Sequence, residues 1–184
     1  MVASVRLYVA VSLDGFIASP DGGVDWLAPF EDQNLGYASF FEEVGLLIMG
    51  RATYDQTASL GPWPYGDKPC RVISRRPLTG ALPPGVRRWE DDIPSLITRA
   101  RDHDDGDTWV VGGARTIALF LHHGCVDQID MFVIPVWLGL GRPLFPDVPS
   151  RLSPSLARVR QHGGGVAQLT YRMRQPFDVR SDLD

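Results

Sequence analysis

Two hydrophobic rhythms alternate along the chain. Short apolar runs at 5–11, 46–49, 70–74, 86–89, 109–111 and 126–136 read as buried strands, several of them rich in β-branched residues. Between them apolar residues return every three or four positions. Tyr37, Phe40, Phe41 and Val44 form one such stripe, with Asn34 as N-cap and Gly45 as stop. Ile93, Leu96, Ile97 and Ala100 form a second behind Asp91 or Asp92, and Ile117, Phe120 and Leu121 a third. A further helix opens at Gly50-Arg51-Ala52-Thr53. The segment 156–174 alternates loosely around a turn at 162–165 and reads as a closing hairpin. Strand and helix in alternation predict an α/β fold: a mostly parallel twisted sheet, helices on both faces in three layers, and an antiparallel hairpin at one edge. At 184 residues, one domain over 1–184 is the simplest division.

Turn residues punctuate this pattern. The loop at 12–27 carries Ser12-Leu13-Asp14-Gly15 and Ser19-Pro20-Asp21-Gly22-Gly23 directly after the first strand, where a lid over a ligand belongs. Asp14 is expected to hold backbone N–H groups of its own turn. The loop at 137–146 contains Gly139-x-Gly141, but Pro143 follows and no helix opens, so it is no dinucleotide fingerprint.

Composition narrows the partners. A hydrophobic share of 44% and a charged share of 22% suit a globular protein, and a net charge of −4 offers no basic footprint for nucleic acid. No apolar run reaches membrane-spanning length, and the N-terminus lacks a signal-peptide pattern. Cys70 and Cys125 stand alone, which fits a reduced, cytoplasmic protein. Asp104, Asp105 and Asp107 lack the closing Glu of a calcium loop and read as a solvated turn. His122 and His123 cap a helix, and no third residue completes a metal site.

Candidate chemistry gathers at three strand ends, 50–53, 74–76 and 112–116. In a parallel sheet these lie on one edge, where ligands bind. Gly112 and Gly113 join a strand to a helix, so bare backbone and free N–H groups face whatever lies there. Arg51 adds a planar fork suited to phosphate oxygens. Ser74, Arg75 and Arg76 add a hydroxyl and two more guanidinium groups. Each junction alone is equally a tight turn or a solvated basic loop; together they point to a ligand with several phosphates.

These pieces resemble the dihydrofolate reductase-like superfamily, and specifically the reductase domain of bifunctional riboflavin-biosynthesis deaminase-reductase proteins. The resemblance rests on Val-Ser-Leu-Asp-Gly-Phe-Ile-Ala at 11–18, Ile-Met-Gly-Arg-Ala-Thr-Tyr at 48–54, Val-Gly-Gly-Ala-Arg at 111–115, Val126-Asp127, and Pro-x-x-Leu-Gly-x-Gly-x-Pro-Leu-Phe at 135–145. It implies NADPH-dependent hydride transfer to a small heterocyclic or carbonyl/imine substrate without metal or flavin, of the 5-amino-6-(5-phosphoribosylamino)uracil reductase type. By motif, Gly50, Arg51, Ala52 and Thr53 would hold the pyrophosphate and 2′-phosphate side. Ser74, Arg75 and Arg76 would hold the adenosine 2′-phosphate. Gly112, Gly113, Ala114, Arg115 and Thr116 would wrap the pyrophosphate, and Ala10 and Ile17 would flank the nicotinamide.

Two features depart from the relatives. The zinc signature of the deaminase half, H-x-E with P-C-x-x-C, is missing from this chain. A dihydrofolate reductase places a carboxylate on its first helix just after a Trp. Here Trp26 is followed at some distance by Glu31 and Asp32, which are candidates for that catalytic role or simply charges favoured by a helix N-terminus. Dihydrofolate reductase and a non-catalytic nucleotide-binding module are the alternative functions. The resemblance and the apolar 126–136 segment beside Trp137 both imply a homodimer.

Overall fold

The structure, a computed structural model, describes residues 3–33, 35–148 and 152–173. Asn34 and Arg174 lie outside the described residues. The chain opens with β1 (Val5–Ser12), turns into the short β2 (Phe16–Ala18), and passes a 3-10 turn over Asp25–Phe30 into α1 (Tyr37–Glu43). Then come β3 (Val44–Gly50), α2 (Arg51–Ser59), β4 (Cys70–Ile73), β5 (Val86–Arg88), α3 (Ile93–Arg101), β6 (Asp107–Gly112), α4 (Ala114–His122) and β7 (Gln128–Ile134). The two-residue β8 (Arg142–Pro143) precedes the hairpin β9 (Ser155–Gln161) and β10 (Ala167–Arg172).

Eight strands form one sheet in the order β5-β4-β3-β6-β1-β7-β10-β9, and β2 pairs with β8 in a separate ribbon. Strands β5 to β7 pair in parallel; β10 is antiparallel to both β7 and β9. The fold class is therefore the expected one, a mostly parallel sheet with a hairpin at its edge.

Alternation along each strand splits the core between two faces. Leu7, Leu46, Ile48 and Val110 point to one face and pack with Leu96 and Ala100 of α3 and Ile117, Phe120 and Leu121 of α4. Leu47, Met49, Cys70, Val72 and Trp109 point to the other, against Phe40 of α1 and Tyr54 of α2. Trp26 of the 3-10 turn, Phe132, Ile134 and Val166 extend that second face under the hairpin.

Three local expectations change. Helix α1 starts behind Gly36, whose φ of 81° turns the chain into the helix without a side-chain cap. Gly45 does not stop the helix. It lies inside β3, and its missing side chain lets the Asp105 carbonyl pack against the strand where a Cβ would collide with it. Asp107 is not solvated: it accepts from the Ser4 N–H at 3.2 Å and from Arg6 Nη1 at 3.1 Å, tying β6 to the start of β1.

Candidate active site

Strands β4, β3 and β6 are neighbours, so the three predicted junctions line up on adjacent C-terminal ends. Helices α2 and α4 leave β3 and β6 through Gly50 and Gly113, and neither N-terminus carries a side-chain cap. Both helices are nine residues long and direct unpaired N–H groups and a positive dipole end at this edge. Gly112 has a φ of 140°, which an L side chain rarely adopts, and the Gly112–Gly113 peptide is cis.

The junctions interlock. A Cβ on Gly50 would lie 2.8 Å from Thr116 Oγ1 of α4, and 3.8 Å from the Gly112 carbonyl. A Cβ on Gly113 would meet only Thr53 Oγ1 of α2, at 3.4 Å. Each helix thus lays a threonine hydroxyl against the other helix's glycine. Gly113 otherwise faces open space. Bare backbone, two uncapped helix ends and two hydroxyls make a cradle whose donors match a pyrophosphate.

Arg51 joins the third junction to the first two. Its Nε donates to Asp55 at 2.7 and 2.8 Å, one turn on along α2, and its Nη1 donates to the Pro77 carbonyl at 3.0 Å. That fixes the guanidinium beside the 74–77 turn. The Ser74 hydroxyl is engaged inside its own turn: it donates to the Arg76 carbonyl at 2.7 Å and accepts from the Arg76 N–H at 3.2 Å. Arg75 and Arg76 are exposed, as are Ala52 and Arg115, while Ala114 is half-buried.

The loop after β1 crosses toward α2, where Gln56 Nε2 donates to the Gly22 carbonyl at 2.8 Å. Its other anchor is Asp14, which holds its own backbone N–H as expected and, beyond its turn, two amides of the facing loop. Asp14 Oδ1 accepts from Leu138 N at 3.2 Å and Oδ2 from Gly139 N at 2.6 Å, with Ser12 Oγ donating to Oδ1 at 2.6 Å. Desolvation opposes ionisation here, yet the Ser12 hydroxyl and the Gly139 and Leu138 amides outweigh it and hold the carboxyl below its usual range. Leu13 N donates to the Val136 carbonyl and Leu144 N to the Gly15 carbonyl, both near 3 Å. The two loops flanking the end of β1 are therefore zipped together. Sequence reading missed this link because 124 positions separate Asp14 from Leu138.

Ala10 and Ile17 part company. Ala10 lies on the α1/α2 face beside Phe132 and Trp26, whereas Ile17 packs with the α3/α4 core. Glu31 and Asp32 stand exposed on the turn that follows Phe30 and do not reach a helix N-terminus, since α1 begins only at Tyr37. No acid occupies the first turn of α1. That turn presents aromatic rings instead: Tyr37 and Phe41 stack at 5.5 Å, and Tyr37 meets Tyr8 at 6.1 Å. Burial, then the charge of Asp130 and the neighbouring Tyr37, push the Tyr8 hydroxyl above its ordinary range, and it donates to the Leu35 carbonyl at 2.9 Å. The glycine turn of the hairpin closes this side, with Gly163 against Gln33 and Gly164 against the Phe30 ring. Both cysteines are buried, and burial pushes each thiol up to about 12, so neither is a nucleophile. No helix among the described residues is long and apolar enough to cross a membrane.

Comparison with known proteins agrees with this architecture. The uncharacterized protein YwjB of Bacillus subtilis (strain 168) is 36% identical over 167 residues, which is 90% of this chain and 95% of that protein. A putative riboflavin biosynthesis protein from Shewanella sp. PV-4 superposes with a TM-score of 0.80 at 28% identity, covering 93% of this chain and 99% of the other. A Thermotoga maritima diaminohydroxyphosphoribosylaminopyrimidine deaminase/5-amino-6-(5-phosphoribosylamino)uracil reductase shares the fold with a TM-score of 0.74 at 17% identity; the match covers 94% of this chain and 57% of that one. Enterococcus faecalis dihydrofolate reductase, complexed with NADP(H), shares it at 0.65 and 17%, covering 95% of this chain and 99% of that enzyme. The family model of the RibD C-terminal domain matches residues 3–168 of the 184, and the chain belongs to that family.

Proposed function

We propose that the protein is an NADPH-dependent reductase that transfers a hydride to a small heterocyclic or carbonyl/imine substrate, of the 5-amino-6-(5-phosphoribosylamino)uracil reductase type. The observation that carries this reading is the interlocked pair of helix ends at Gly50 and Gly113, without side-chain caps, with Thr116 Oγ1 against Gly50 and open space at Gly113 beyond Thr53 Oγ1. The backbone N–H groups at the starts of α2 and α4 would hold the pyrophosphate. Arg51, with Arg75 or Arg76, would hold the 2′-phosphate. When bound, the cofactor supplies the hydride; the protein supplies placement.

The substrate would lie against the aromatic wall of Tyr8, Tyr37 and Phe41, with Ala10 on the nicotinamide side. Rings that stack edge and face suit a flat heterocycle. The zipped 13–18 and 136–144 loops hold the end of β1 still and limit water. We assign the proton to a water at the turn carrying Glu31 and Asp32, either of which can orient it. An α1 without an acid in its first turn disfavours a dihydrofolate reductase mechanism. The deciding experiment is NADPH oxidation with the ribosylamino-pyrimidine phosphate and with dihydrofolate, beside calorimetric titration of NADPH. Turnover of the first alone supports this reading. Turnover of dihydrofolate selects the alternative enzyme, and tight binding without any turnover selects a nucleotide-binding module.

We further propose that two chains pair through the sheet face beyond α4. Cross-strand rows there are apolar: Val9, Met131, Leu169 and Val159 stand in register, as do Ile129, Tyr171 and Leu156. Val159 and Leu156 are exposed, and the exposed Phe145 lies in one depression with Met131. A water-facing antiparallel face is ordinarily polar, so this one calls for a cover. Light scattering should give twice the 20.3 kDa chain mass, and a single-chain mass would refute the pairing.

A further inference from the structure

On the α3 side of the sheet, three arginines converge without a carboxylate. Arg71 of β4 and Arg87 of β5 are direct register partners. Their neighbours Cys70, Val72 and Val86 point into the α1/α2 core, so by strand alternation both arginines point to the opposite face, toward α3. Arg99 comes from the last turn of α3. Among the described residues none of the three forms an ion pair, whereas Arg6, Arg51, Arg88 and Arg101 all do. Arg71 has one recorded partner, the carbonyl of its neighbour Cys70, at 3.2 Å. Burial first, then the charges of Arg99 and Arg87, lower its proton affinity; against them acts the neighbouring Cys70 thiol, and no carboxylate.

Ordinary structural reasons cover only part of this cluster. A charged residue on an edge strand blocks unwanted strand pairing, which accounts for Arg87 and Arg88. A cation in the last turn of a helix meets the negative dipole end, which accounts for Arg99. Neither explains Arg71, half-buried in an interior strand opposite a like charge, an arrangement that is destabilising as it stands. A multivalent anion would relieve it. Three guanidinium forks offer more donors than one carboxylate can accept, and they match the tetrahedral oxygens of linked phosphates. Beside the cluster, Pro77, Leu78, Leu82, Arg87, Arg88 and Glu90 line a depression of about 410 Å³, in which Arg88 is already paired with Glu90 at 2.8 Å.

We propose that Arg71, Arg87 and Arg99 form a binding site for a polyphosphate anion, separate from the cradle at Gly50 and Gly113. Arg71 stands three residues before Ser74, about 10 Å back from the strand's end and on the face toward α3. The site is independent of the proposed cofactor reading and would exist in a protein that bound no NADPH.

The test is calorimetric titration of the full chain with inorganic pyrophosphate at low ionic strength. Wild type should bind, and Arg87→Gln and Arg99→Gln should each weaken binding at least fivefold. Gly113→Val, which intrudes on the cradle, and Arg51→Ala should each change it less than twofold, and NADPH affinity should stay within twofold in Arg87→Gln. A charge reversal, Arg87→Glu, should pair with Arg71, raise the melting temperature without pyrophosphate and abolish the stabilisation by pyrophosphate. Titration with ADP separates two sources of the same chemistry. Measured in Gly113→Val, where the cofactor cradle is obstructed, equal affinity assigns recognition to the phosphates and tighter binding adds a nucleoside contact, and either result keeps the triad. No pyrophosphate binding, or binding lost in Arg51→Ala but kept in Arg87→Gln, overturns the proposal.

Discussion

At the edge where β1, β3 and β6 begin, charges are matched within the protein. Arg6 pairs with Glu43, with Asp107 at 3.1 Å and with Asp130 at 3.4 Å, and its guanidinium lies 4.8 Å from the centre of the Phe40 ring. Asp130, 4% exposed, also accepts from Thr170 Oγ1 at 2.7 Å, Gln128 Nε2 at 2.7 Å and Gln168 Nε2 at 3.2 Å. Asp127 accepts from the Val5 N–H and from Arg101. At the edge where the same strands end, helices begin uncapped, glycines replace side chains, and threonine hydroxyls stand against bare backbone. One edge pairs its charges within the protein and holds three strands, two helices and the hairpin in place. The other leaves donors for something outside. On the proposed reading, stability and ligand binding are separated by the length of a strand.

The sharpest way to break the contrast is to damage the matched edge. Asp130→Ala removes the acceptor of four donors and leaves the Arg6 guanidinium less compensated in a setting only 14% exposed. Arg6 keeps Glu43 and Asp107, so the cost falls mainly on the Thr170, Gln128 and Gln168 donors; each buried donor left without an acceptor costs about 1–3 kcal/mol, and denaturant unfolding should show a loss of at least about 3 kcal/mol. NADPH affinity measured well below the new midpoint should be unchanged; a fall in affinity without a fall in stability would contradict the separation.

The open edge should respond in the reverse sense. Gly113 has a φ of −76°, which any residue adopts, and open space beyond Thr53 Oγ1. Gly113→Val should keep the fold and intrude on the cradle, weakening NADPH by about 5- to 150-fold, the range of a 1–3 kcal/mol steric misfit. Normal affinity by titration calorimetry would remove the cradle assignment.

A smaller effect is expected at Arg51. Losing one charge-assisted bond to a phosphate costs roughly 1.5–3 kcal/mol, so Arg51→Ala should weaken NADPH at least about tenfold and NADH far less. Equal affinity of wild type for the two cofactors would sink the 2′-phosphate assignment. Arg51 also grips the Pro77 carbonyl, so a shared loss for both cofactors would mean that it acts by holding the 74–77 turn.

The smallest effect concerns pH. His103 is buried, and its Nε2 meets Thr108 Oγ1, which donates to the Ala100 carbonyl, so the ring donates through Nε2 and leaves Nδ1 without a partner. Burial, and then Arg99, lower its proton affinity against the opposing pull of Asp105, Asp104 and Asp107. The folded state therefore prefers the neutral ring. Its contribution is complete above the unfolded value of about 6.5 and declines as pH falls below it. His103→Gln should flatten the fall in melting temperature over that range, while NADPH affinity keeps its own pH profile.

Much of the open edge was legible in the chain. Gly50-Arg51-Ala52-Thr53 and Gly112 to Thr116 are contiguous, so local rules of strand end, glycine and helix start suffice to mark them. The matched edge was not. Arg6 and Asp130 lie 124 positions apart, and nothing local distinguishes Asp107 from a solvated acidic loop residue. Gly45 misled for a similar reason. A glycine after a helical stripe signals a stop, but this one serves a backbone approach from Asp105, in the loop before β6, which the β3–β6 register brings near.

The sequence by itself determined the element order, the two-sided burial of the parallel strands, the closing hairpin and the alignment of three donor-bearing junctions on one edge. These follow from periodicity and turn chemistry, which act over a few residues. Only the tertiary structure decided that Thr53 and Thr116 face each other's glycines, that Asp14 clasps the 138–139 amides, that Ala10 and Ile17 lie on different faces, and that Arg71 and Arg87 stand side by side. Those depend on strand order and register, which are set by packing across the whole sheet and leave no local trace.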